Sequence, residues 1–134
     1  MFDSRNPVFT KCAKFSVLED GVLSIQLLAN CEIDLSESKL MQKVSLEITN
    51  GKKIVALIDA REAFFVSKES REWGSTAEAQ KNMVAQAIVV NSTANRLVGN
   101  FIIQFHKPIA KTRLFSNEKS ALEWLRDQKN NIIF

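Results

Sequence analysis

Between Ala13 and Leu28 apolar and polar residues alternate: Phe15, Val17, Leu23, Ile25 and Leu27 are interleaved with Ser16, Ser24 and Gln26. A period of two places the apolar set on one face of a pleated ribbon. Glu19-Asp20-Gly21 lies between the two halves, and Asp-Gly favours the positive φ of a tight turn, so the stretch predicts a β-hairpin. The period then lengthens. Leu40, Met41, Val44 and Ile48 mark one face at helical spacing. Asp34 with Glu37 fits a capping box, in which each side chain takes up an amide of the first turn. Asn50-Gly51 ends this helix, where glycine tolerates the left-handed conformation.

Ile54-Val55-Ala56-Leu57-Ile58 is apolar throughout, the mark of a strand buried on both faces in a parallel sheet. Val84 to Val90 is a second such run, ended by Asn91-Ser92-Thr93. Between them Ser67 suits the N-cap of a short helix carrying Trp73, and Ser75 with Glu78 suits a further turn. A helix is predicted from Thr93 to His106, burying Ala94, Leu97, Val98, Phe101, Ile102 and Phe105, with Pro108 beyond its end. Ile103 falls outside that stripe, as a dimer contact or as part of a broad buried face. Thr112 to Phe115 reads as a last strand, and Ser116 or Asn117 caps a final helix with Ala121, Leu122 and Leu125 inward. The order β β α β α β α β α predicts an α/β fold: an N-terminal hairpin, then alternating units in a mostly parallel sheet with helices packed on it. Residues 1–134 read as one domain, with 1–12 an N-terminal arm and 128–134 a tail whose apolar end, Ile132-Ile133-Phe134, is expected to dock.

A chain of 134 residues buries roughly two-thirds of its unfolded surface and folds without a metal or disulfide. The net charge of +3 is mild. Lys52-Lys53 and the group Lys107, Lys111 and Arg113 fall short of the aligned cations that nucleic acid demands, so no nucleic-acid partner is expected. Cys12 and Cys31 are the only cysteines. The first seven residues lack the apolar core of a signal peptide, and no apolar run is long enough to span a bilayer. A cytoplasmic protein with two reduced thiols and no integral membrane association is the expectation.

Familiar catalytic equipment is missing. There is no Walker loop, dinucleotide fingerprint, zinc spacing or nucleophile elbow. The single histidine, His106, sits at a predicted helix end, where a cation suits the helix dipole. No enzyme activity, cofactor or metal is expected. In open parallel sheets partners and ligands meet the loops beyond the C-terminal strand ends. Those loops carry Asp59, Arg61, Phe64, Phe65, Ser67 and Arg71, with Asn91, Asn95 and Arg96 beside them. The alternatives are that Asp59 caps backbone amides or pairs with Arg61, and that Ser67 is simply a cap. Of two adjacent aromatics, one is expected to pack and the other to mark a surface.

The stretch Leu57-Ile58-Asp59-Ala60-Arg61 and Ser67-Lys68-Glu69-Ser70-Arg71-Glu72 resembles an uncharacterised bacterial family of STAS-like proteins. Ala87-Ile88-Val89-Val90-Asn91-Ser92, Arg96-Leu97-Val98-Gly99-Asn100-Phe101, Lys107-Pro108, Thr112-Arg113-Leu114-Phe115 and Ala121-Leu122-Glu123-Trp124-Leu125 extend the resemblance over residues 13–127. It implies the fold of anti-sigma-factor antagonists, shared distantly with lipid-binding CRAL-TRIO domains. Such antagonists bind a protein partner and switch by phosphorylation of a serine in an Asp-Ser-Ser/Thr-Gly/Ala pattern. Here Val66-Ser67-Lys68-Glu69 stands in that place, so Ser67 lies beside the phosphoacceptor position and is the only phosphorylation candidate the resemblance offers. The implied function is a regulatory, homodimeric protein-interaction module. The alternative is binding of a lipid or other small apolar ligand, for which so short a chain is expected to offer little enclosed room.

Overall fold

The structure, a computed structural model, describes residues 6–62, 64–91 and 110–131. The helix expected from Thr93 to His106, with Asn95, Arg96 and Ile103, and the Ile132-Ile133-Phe134 end lie outside the described residues. In chain order the elements are β1 (Val8–Phe9), β2 (Ala13–Val17), β3 (Leu23–Leu27), β4 (Cys31–Ile33), α1 (Leu35–Thr49), β5 (Ile54–Asp59), β6 (Phe64–Val66), α2 (Lys68–Gly74), β7 (Met83–Val89), β8 (Lys111–Phe115) and α3 (Glu118–Asn130).

The main sheet runs β1-β2-β3-β5-β7-β8. The first three strands pair antiparallel, and β3, β5, β7 and β8 are parallel neighbours. The hairpin forms as its pattern predicts, with Val17 opposite Leu23 and Gly21 at φ 82°. The expected arm is partly strand: Val8 and Phe9 pair with Phe15 and Lys14. The expected tail begins later than residue 128, because α3 continues to Asn130.

The uninterrupted apolar run of β5 is explained by layers on both sides. Ile54, Ala56 and the half-buried Ile58 meet Phe15, Leu23, Ile25 and the α1 residues Met41, Val44 and Ile48. Val55 and Leu57 meet Ala85, Ala87, Val89 and the α3 residues Ala121 and Leu125 on the opposite face. Leu40 departs from the expected inward stripe and lies exposed.

Two short strands were hidden from the pattern. β4 and β6 form a separate parallel pair, with Cys31 opposite Phe64, Glu32 opposite Phe65 and Ile33 opposite Val66. Strands of three residues carry too few alternations to register as a period. Asn30, at φ 58°, makes the turn into β4.

Candidate functional site

The loop region that follows β5 is largely committed to its own structure. Asp59 ends β5, and Arg61 grips its carboxylate with both forks, Nε to Oδ1 at 2.9 Å and Nη2 to Oδ2 at 2.8 Å. The Arg61 amide also donates to Oδ1 at 3.1 Å. The Arg61 hydrogen bonds hold the Asp59 carboxyl below its ordinary range and raise the guanidinium above its own. This pairing was one of the two readings open from sequence, and the structure takes it.

Further along, the pleat sorts the two phenylalanines. Neighbouring residues of a strand point to opposite faces. Phe64 packs against the first core, while Phe65 is left 62% exposed. Ser67 then caps α2: its Oγ accepts from the Ser70 amide at 3.1 Å, and its own amide donates to the Ile33 carbonyl at 3.0 Å. Arg71 folds back, Nη1 donating to the Val66 carbonyl at 2.6 Å. It braces the β6–α2 junction instead of projecting outward. Asn91 is exposed just beyond β7. Of the sequence-selected residues described, then, Asp59, Arg61, Phe64, Ser67 and Arg71 have structural duties, and Phe65 and Asn91 present themselves to solvent.

Two further residues bear on this region, neither of them a site candidate from the sequence. Glu37 is buried in the first turn of α1, yet it does not complete the predicted capping box. Asp34 keeps its half, accepting from the Glu37 amide at 2.8 Å. The Glu37 carboxylate turns instead to the amide of Cys12 and the hydroxyl of Thr10, both at 2.8 Å. Those partners lie more than twenty residues back in the chain, outside the reach of any local spacing rule. The second is Phe9, on the edge strand β1 and 61% exposed.

Cys12 and Cys31 are joined as a disulfide, their Cα atoms 5.5 Å apart, within the normal span of a bridge. The expectation of two reduced thiols is corrected. The two cysteines flank the predicted hairpin, which leaves a bridge open from sequence; β4, turning back beside the start of β2, brings them together. The compartment inferred from reduced thiols loses that support; what holds is that no helix among the described residues is long and apolar enough to cross a membrane. The bridge ties β4, and through it β6, to the main sheet. Phe9 lies three residues before Cys12, and Phe65 is opposite Glu32, next to Cys31.

Among the described residues no group of three or more acids, cysteines or histidines converges as metal ligands. What the arrangement offers is a rigid, partly apolar surface.

Comparisons with known proteins agree with the architecture. The chain superposes on the crystal structure of an uncharacterized protein of the DUF3478 family from Shewanella loihica PV-4, described as having a SpoIIAA-like fold, with a TM-score of 0.61 and 18% sequence identity. The match covers 84% of this chain and 91% of that one. The fold is therefore the STAS-like one that the residues resemble. No curated protein matches the chain. The model of a domain of unknown function, DUF7793, matches residues 16–129, and the chain belongs to that family.

Proposed function

We propose that this DUF7793 domain is a non-enzymatic regulatory module that works by binding protein, as a homodimer and with a further protein partner. The exposure of Phe65 carries the reading. A large aromatic held outward on a braced strand is the kind of anchor that dominates interface energetics, because its area is gained at little cost in conformational entropy. Arg61 contributes through the half of its guanidinium not engaged by Asp59.

Native mass spectrometry of the protein from its own host, beside a Phe65→Asp variant, tests this. A dimer, or a dimer with a second protein, that is lost in Phe65→Asp at unchanged thermal stability supports the module. A monomer in both samples sinks it.

A further inference from the structure

At the opposite end of the parallel strands lies a cleft of about 590 Å³. It is an open cleft and not an enclosed pocket, and its volume falls within the roughly 300–1,000 Å³ of small-molecule sites. Its floor is apolar: Val17 closes β2, Leu23 opens β3, Ile54 opens β5 and Ile48 comes from the last turn of α1. Its rim is basic. Lys52 and Lys53 stand in the connection between α1 and β5, and Lys129 arrives from α3, on the other face of the sheet. No carboxylate lines the cleft among the described residues. The nearby Asp20 carboxylate is already taken by Arg126, Nε to Oδ2 at 2.7 Å.

The lysines come together by different routes. Lys129 is anchored by donating to the Asp20 carbonyl, and an ammonium has three donors, so this bond leaves capacity over. Gly21 lies beside it: its φ of 82° favours glycine, and a side chain there would make the flexible Lys129 ammonium shift. Lys52 and Lys53 are exposed, and their ammonium groups have no hydrogen bond or ion pair among the described residues. Offsetting the negative end of the α1 dipole accounts for one nearby cation. It does not account for a third lysine delivered from the opposite layer onto an apolar floor.

We infer that this cleft binds a medium-chain amphiphilic anion, with the alkyl chain along Val17, Leu23, Ile48 and Ile54 and the carboxylate among Lys52, Lys53 and Lys129. The site lies at the far end of the strands from the proposed protein-binding corner and does not depend on it.

Titration calorimetry of the full chain with octanoate and with 1-octanol tests the assignment. Saturable one-to-one binding of octanoate, at least tenfold tighter than 1-octanol and weakened at least tenfold in Lys52→Glu/Lys53→Glu, is the expected result. Both lysines are exposed, so that variant should unfold at the wild-type temperature. The inference is overturned by no saturable octanoate binding, by equal affinity for acid and alcohol, or by a charge-reversed variant that binds like wild type. It is also overturned if vesicles of phosphatidylglycerol bind the protein while octanoate does not, since the lysines would then be reading a membrane surface.

Discussion

The two ends of the parallel strands use charge in opposite ways. Beyond β5 several charged groups find their partners within the fold: Arg61 on the Asp59 carboxylate, Arg71 on the Val66 carbonyl, Glu37 on the Thr10 hydroxyl and the Cys12 amide. The one large apolar side chain left exposed in the β5–α2 stretch, among the described residues, is Phe65. At the N-terminal ends the apolar residues are gathered into a cleft and the cations stand around it. Of the polar residues selected at the expected end of the sheet, Asp59, Arg61, Ser67 and Arg71 are engaged within the fold, whereas Asn91 is exposed. A topological rule locates an end of the sheet; hydrogen-bond accounting decides which side chains there remain available.

The strongest way to break this contrast is to cut the brace. Replacing both cysteines with alanine removes a closure between residues 19 apart in sequence. It should cost about 3 kcal/mol in the chain-entropy account. Urea unfolding measures this directly, and octanoate binding at the far end should survive under native conditions. A loss below about 1 kcal/mol would mean that β4 and β6 are held mainly by packing.

Next in size is Glu37→Ala, which leaves the buried Cys12 amide without its acceptor and should cost about 2 kcal/mol. Glu37→Gln, which can still accept, should recover part of that loss.

Acid sharpens the contrast further. Asp59, bound by Arg61, Asp20, bound by Arg126, and Asp34, bound by the Glu37 amide, all have carboxyl pKa values below the ordinary 3.8. A carboxyl depressed in the folded state adds stability above its unfolded value and loses it as pH falls through the folded value. The urea midpoint should therefore drop as the pH is lowered from 3.8 through those depressed values. Arg61→Met should remove the Asp59 share of that drop. Its cost at neutral pH should stay under about 1 kcal/mol, because the pair is partly exposed.

The smallest expected change in stability is the most informative about function. Phe65→Ser removes an exposed side chain and should shift unfolding by no more than about 0.5 kcal/mol. If it unfolds the domain instead, Phe65 is part of the core and the contrast between the two ends collapses.

Much of the fold was legible because it rests on local periodicity. The hairpin, α1, β5, the α2 cap at Ser67, β7 and the final helix capped by Asn117 each stand where alternation, helical spacing or a capping residue places them. The site was legible only in part. The split between Phe64 and Phe65 follows from the pleat, and Asp59–Arg61 was one of two open readings. Phe9 was passed over because a strand of two residues has no period of its own. Glu37 was misassigned because its spacing from Asp34 satisfies a local motif while its carboxylate obeys a distant one.

The sequence by itself determined the longer elements, β2, β3, α1, β5, β7 and α3, that β5 is covered on both faces, and that no standard catalytic motif is present. These are properties of neighbouring residues and of the balance of apolar and polar side chains. Tertiary structure decided the rest: the pairing of Cys12 with Cys31, the destination of the Glu37 carboxylate, and the meeting of Lys129 with Lys52 and Lys53. Each brings together residues from separate elements. Spacing along the chain carries no record of such a meeting, because it is set by how the layers pack around the sheet.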